Sequence, residues 1–212
     1  MAQIVLVHGM LANQRSWNEI PAKLKTAGHV VTNITLPGHA NLLEYLSTQL
    51  SDYVDEVVDS LPSSGPAVLI GHSMGGFVIS QTAASHPKRV SQLIYVTAMM
   101  PSPKDTIAGL SHQAGTSLNA IRAEFKAAKV DPRALGYQPP GPADDAFVDE
   151  NGMASVARHY IRCTADKILP PGFQDQMIGN WPGTTTADIA TGHLPQYTAS
   201  DDLADRILEA LN

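Results

Sequence analysis

The segment Gly71-His72-Ser73-Met74-Gly75-Gly76 follows directly on the apolar run Ala67 to Ile70 and leads into Phe77, Val78 and Ile79, a stretch able to be helical. Few folds accommodate this pattern. A serine on a tight strand-to-helix turn adopts strained backbone angles, and the residues two positions either side must lack bulky side chains for the chain to turn so sharply. Gly71 and Gly75 meet that requirement. The turn pushes the Ser73 hydroxyl out of a sheet edge, and the Met74 N–H points into the same space at the start of a helix.

The rest of the chain supplies the matching layers. Short β-branched runs recur at Ile4 to Val7, His29 to Leu36, Ala67 to Ile70, Gln92 to Ala98, His159 to Cys163 and Thr185 to Ile189. With helical segments between them, they predict an α/β fold with a mostly parallel six-stranded sheet flanked by helices. Leu42, Leu46, Leu50, Tyr53, Val54, Val57, Val58 and Leu61 recur at spacings of three and four, which reads as a crossover helix. Leu203, Ile207, Leu208 and Leu211 repeat the pattern near the C-terminus, with Ser200, Asp201 and Asp202 available to cap and charge the helix start. Met99 to Arg158 breaks the rhythm. It carries Pro101, Pro103, Pro132, Pro139, Pro140 and Pro142, then the acidic Asp144, Asp145, Asp149 and Glu150. Such a stretch reads as an insertion or lid, with a helix around Ile121 and Phe125.

Composition narrows the class. A hydrophobic fraction of 43% over 212 residues suits one core, so residues 1–212 are expected to form one domain with an insertion at about 103–158. Only 16% of residues are charged and the net charge is -6, which argues against a nucleic-acid partner. The lone Cys163 excludes an internal disulfide and reads as packed core. No apolar run is long enough for a membrane span or a signal segment, so the expected localisation is cytoplasmic. The histidines show no metal-ligand spacing, and neither metal nor cofactor is expected.

A serine hydroxyl needs a base, and the base needs a carboxylate to orient it. His193 follows the last strand and precedes the C-terminal helix, where a loop can carry its imidazole over the sheet edge. His72, beside Ser73, is expected to project elsewhere; His86 belongs to a proline turn and His112 to the insertion. Asp166 ends the penultimate strand and completes the chain order Ser, acid, His, with Asp105 in reserve. A second oxyanion donor is expected from the Met10 N–H opposite Met74, with Gly9 shaping the turn. His8 reads equally as a packing residue or as a polar contact in the pocket.

Val5-Leu6-Val7-His8-Gly9 with Trp17, Leu36-Pro37-Gly38-His39, the Ser73 segment, and Cys163-Thr164-Ala165-Asp166-Lys167 with Phe173-Gln174 resemble the α/β-hydrolase superfamily. Within it they are similar to the plant methylesterase and hydroxynitrile-lyase branch over nearly the whole chain, least between Pro103 and Arg158, where that branch carries its cap. The resemblance implies the α/β-hydrolase fold with a short cap, and it sets Asp166 and His193 in the triad and Met10 and Met74 as oxyanion donors. The lyases carry threonine after the first-strand histidine and lysine after the catalytic one. This chain has Gly9 and Leu194, so it resembles an esterase-like member of bacterial type.

The expected reaction is cleavage of a small carboxylic ester through an acyl-enzyme on Ser73, with no cofactor and a small-molecule ester as the partner. A slowly turning ligand-binding protein and a hydroxynitrile lyase are the alternatives. Activity is expected to rise with pH through about 6.5, as for a neutral histidine base. Met99, Met100, Leu110, Leu118, Ile121 and Phe125 either line an acyl pocket or form the insertion's own core, the second being favoured. The lean insertion implies an open or a small pocket.

Overall fold

A computed structural model describes residues 1–149 and 152–212. Glu150, the last of the acidic residues read after the prolines, lies outside the described residues. Six strands, β1 (Gln3–Val7), β2 (Val30–Asn33), β3 (Ala67–His72), β4 (Val90–Val96), β5 (Ala157–Cys163) and β6 (Thr185–Ile189), form one sheet in the order β2-β1-β3-β4-β5-β6. Every neighbouring pair is parallel. The α/β architecture follows from the strands' side-chain alternation. Ile4 and Leu6 of β1, Val68 and Ile70 of β3, and Ile94 and Val96 of β4 point to one face. Val5, Val7, Leu69, Leu93 and Tyr95 point to the other. Because both faces are covered, β3 is buried along its full length, which is why it reads as an unbroken apolar run.

On the first face lie α1 (Ile20–Thr26) and, from the far end of the chain, a helix at Ser200–Ala210; Ile20, Leu24, Leu203, Ala204 and Ile207 make the contact. On the opposite face pack α2 (Leu50–Asp59), α3 (Gly75–Ser85), α4 (Ile107–Gln113), α5 (Leu118–Ala127) and α6 (Pro171–Gly179). A single turn, α7 (Pro195–Thr198), precedes the Ser200–Ala210 helix, α8. From β1 the chain moves outward to β2 and returns on the other side of β1 with β3. The sheet therefore changes winding direction between β1 and β3, and a crevice opens beyond their carboxyl ends.

Two helix readings need correction. The crossover helix begins only at Leu50: Gln49 is extended and makes a reciprocal capping box with Asp52, whose side chain accepts the Gln49 N–H. Leu42 and Leu46, assigned to its buried face by spacing, lie in turns before it and are largely exposed. At α8 the N-cap is Ala199, with no side-chain cap, and Ser200 is already helical. Asp201 and Asp202 do sit in the first turn, and Asp201 accepts from Lys23 at 2.6 Å. The second run, read as His29 to Leu36, is a strand only over Val30–Asn33.

Between β4 and β5 the chain forms α4, α5 and short 3-10 turns. Thr106 caps α4 by accepting the Gly109 N–H, and Ser117 caps α5 by accepting the Ala120 N–H. Ile107, Leu110, Ile121 and Phe125 join the same apolar cluster as Met99, Met100 and Phe77 of the sheet body, so this segment shares the main core. Leu118 is partly exposed. Residues 133–139 lie against the loop after β1, with an antiparallel bridge between Ala12 and Leu135.

Candidate active site

β3 ends at His72, and Ser73 sits in the left-handed region at φ 54° before α3 starts. The glycines around it are required by close approach. A Cβ on Gly71 would lie 2.6 Å from the Gly75 carbonyl group, and one on Gly75 would lie 2.4 Å from the Val7 oxygen. A Cβ on Gly76 would meet the Met99 oxygen at 2.4 Å, and one on Gly9 would meet the Ser73 Cβ at 2.8 Å. Bare backbone at these positions lets α3 start against β1 and lets the β1 loop touch Ser73.

His193 stands in the loop after β6, and its Nε2 lies 2.9 Å from Ser73 Oγ. Its Nδ1 lies 2.7 Å from Asp166 Oδ2, Asp166 following the end of β5. Three groups far apart in the chain are thus joined in one hydrogen-bonded line. Ser73, His193 and Asp166 are 4%, 1% and 3% exposed, so the line is shielded from bulk water. The other Asp166 oxygen accepts the Ile168 and Leu169 amides at 2.6 and 3.0 Å. Burial works against ionising this carboxyl, but His193, Thr97 and the Ile168 amide outweigh it, and its pKa falls below the ordinary value. The reserve candidate, Asp105, instead accepts the Ser102 N–H in a local turn.

Two residues in this network escape the sequence reading. Thr97 follows β4 and donates its hydroxyl to Asp166 Oδ2. It holds φ 37°, unusual for a β-branched residue, and its N–H is fixed by the Ile161 carbonyl at 2.9 Å. Strain at the end of a strand would have been the signal, and it has no one-letter signature. His72 does turn away from the Ser73 hydroxyl, as expected, yet it serves the site: its Nε2–H donates to the His193 carbonyl at 2.8 Å. Burial, then the neighbouring His193, lower its pKa to about 3, which keeps it neutral.

The loop after β1 brings Gly9 against Ser73, and Met10 is the next residue in the chain. Among the described residues, neither the Met10 nor the Met74 amide has an acceptor within the protein. Met74 immediately precedes α3, where the first amides have no helical partner. His8 is a buried packing residue with two bonds: Nδ1–H donates to the Gly9 carbonyl at 2.9 Å and Nε2 accepts the Leu36 N–H at 3.0 Å. Burial lowers its pKa to about 4. Cys163 is fully buried, and burial pushes its thiol up. Among the described residues no three His, Cys, Asp or Glu side chains come together as metal ligands. No helix among them is long and apolar enough to cross a membrane.

This arrangement can lower the cost of removing a hydroxyl proton and hold the resulting imidazolium against a fixed carboxylate. The chain is similar to proteins of related architecture. Methylesterase 3 of Arabidopsis thaliana is 27% identical, covering 99% of this chain and 95% of its own. That alignment runs over 252 positions against 212 residues here, so at least 40 of its positions have no counterpart in this chain. A pyrethroid hydrolase of Sphingobium wenxiniae is 26% identical over 99% of this chain and 87% of its own. Among solved structures, a pyrethroid hydrolase from Sphingobium faniae superposes with a TM-score of 0.84 at 26% identity, covering 98% of this chain and 96% of its own. The model of the alpha/beta hydrolase family matches residues 4–206. With that match spanning nearly every element that builds the sheet and the Ser73 turn, the chain belongs to the alpha/beta hydrolase family.

Proposed function

We propose that this protein hydrolyses small carboxylic esters, with Ser73 as nucleophile, His193 as base and Asp166 as its orienting carboxylate. The observation that carries the reading is the buried line from Asp166 through His193 to Ser73, with bonds of 2.7 and 2.9 Å, ending on a serine at φ 54°. Ser73 Oγ attacks the ester carbonyl while its proton passes to His193 Nε2. The tetrahedral oxyanion is held by the Met10 and Met74 amides. The carbon–oxygen bond to the alcohol then breaks, and His193 returns the proton to the departing alkoxide. Water repeats the attack on the acyl-serine, giving the acid and free Ser73. Each oxyanion donor is worth about 3 kcal/mol in comparable sites.

The names of the similar proteins, methylesterase and pyrethroid hydrolase, favour ester cleavage. Leu194, directly after His193, is buried and apolar, which favours hydrolysis over release of cyanide. We read the β4–β5 segment as a short cap. With Ser73 only 4% exposed, a small pocket fits better than an open one.

The decisive experiment is hydrolysis of p-nitrophenyl acetate with labelling by a fluorophosphonate probe. Ser73→Ala is expected to lose labelling and to lose activity by roughly 10³-fold or more. A Ser73→Ala protein with wild-type turnover would remove the assignment. In a series of p-nitrophenyl esters, acetyl is expected to be cleaved with a higher kcat/KM than octanoyl; equal values would overturn the small pocket.

A further inference from the structure

The loop that bears the Met10 amide is not held by its own sequence. Leu11, the next residue, adopts φ 55°, a left-handed conformation that a leucine reaches only at a cost. Such a residue persists when its surroundings over-determine it. Here both of its backbone polar groups are tied to the segment before β5. The Leu11 N–H donates to Gln138 Oε1 at 3.2 Å, and the Leu11 carbonyl accepts the Gly136 N–H at 2.8 Å. Gly136 can come this close only without a side chain, since a Cβ there would lie 2.4 Å from the Ala12 oxygen. The neighbouring amide of Asn13 donates to the Ala134 carbonyl at 3.0 Å.

Gln138 also reaches the other side of the crevice. Its Nε2 donates to Met74 Sδ at 3.7 Å and to the Pro139 carbonyl at 3.3 Å. One carboxamide therefore bonds both the residue after Met10 and the side chain of Met74, and the Met10 and Met74 amides are the proposed oxyanion donors. We propose that Gln138 is a positioning residue for the oxyanion amides, coupling the seating of residues 133–139 on the β1 loop to ester hydrolysis. This inference rests on the hydrolase reading. It goes beyond it by making a side chain of the inserted segment part of the apparatus that orients the transition state.

The test uses the full chain carrying Gln138→Leu, which keeps the bulk and removes all three carboxamide bonds, those to Leu11 and Met74 among them, with Gln138→Met as a second variant should the first not fold. With p-nitrophenyl acetate, kcat is expected to fall about tenfold, as for a misplaced catalytic group of modest displacement, with KM within about twofold. With the matching thionoester, whose sulfur is a weak acceptor for oxyanion amides, the loss is expected to shrink to less than about twofold. Amide hydrogen exchange at Leu11 is expected to quicken at least about tenfold, reporting the freed N–H independently of turnover. Unchanged kcat, equal losses for the two esters, a loss confined to KM, or unchanged Leu11 exchange would each overturn the proposal. Failure of the hydrolase reading is distinct: it would appear as activity surviving in Ser73→Ala, while Leu11 exchange still tests what Gln138 holds.

Discussion

Thr97 carries more of the site than its place after a strand suggests. Its hydroxyl bonds the Asp166 oxygen that also faces His193, so removing it leaves the buried carboxylate with one fewer donor. Thr97→Val keeps the β-branched shape at φ 37° and deletes that bond, together with the hydroxyl's hydrogen bond to the Cys163 thiol. A hydrogen bond to a charged group contributes about 1.5–3 kcal/mol, so urea unfolding is expected to show a loss of that size. With His193 as the proposed base, steady-state kinetics should give a kcat about tenfold lower at nearly constant KM, the loss expected when the carboxylate that would orient the base is less firmly held. A Thr97→Val protein indistinguishable from wild type in both measurements would show the bond to be idle. Ser73, Asp166 and His193 were legible as letters because each sits at a strand end in a fixed chain order. Thr97 and Gln138 were not, because their importance lies in whom they meet, 69 and 127 residues away in the chain.

Glycine separates two kinds of element terminus. Gly75, at the start of α3, has the Val7 oxygen where a Cβ would go, whereas Gly179, the last residue of α6, has nothing within 4 Å. Gly75→Ala is expected to destabilise by about 3 kcal/mol or more, because backbone on both sides resists moving. Gly179→Ala is expected to be neutral or to stabilise by up to about 1 kcal/mol, through helix propensity and a less flexible unfolded chain. Thermal unfolding of the two variants distinguishes them, and equal shifts would contradict the steric account. At this scale the strands were readable because doubly covered parallel strands leave continuous apolar runs. The helix before β3 was over-read because the three-and-four spacing continues through Leu42 and Leu46, but the Gln49–Asp52 box starts the helix eight residues later. Periodicity reports which positions could share a face, and a capping box decides where the helix begins.

At the scale of the molecule, histidines make the fold sensitive to acid. His8, His39 and His72 are buried, and burial is the leading cause of pKa values lowered to about 4, 2 and 3. His39 is held neutral between the Ala12 carbonyl, to which Nδ1–H donates, and the Tyr53 hydroxyl, which donates to Nε2. In the unfolded chain each histidine takes a proton near pH 6.5, so the unfolded state binds protons that the native state refuses. Stability from these groups is complete above about pH 6.5 and is lost as pH falls toward the lowered values. Three such groups give a slope of roughly 4 kcal/mol per pH unit between about pH 6 and pH 4. The depressed Asp166 adds a loss only below about pH 4, through the ordinary carboxylate range. Urea midpoints are expected to drop steeply from pH 7 to pH 5, and a flat profile would show these rings to be solvated. By itself the sequence determined the layered α/β class, the strands and the Ser73 turn, because apolar alternation and small residues at a tight turn are local requirements written in adjacent letters. Tertiary structure alone decided the burial of the Ser73–His193–Asp166 line, the clamp of Thr97 on its carboxylate and the hold of Gln138 on the β1 loop. Those depend on strand order and on where the β4–β5 segment comes to rest, which are set by packing between distant parts of the chain.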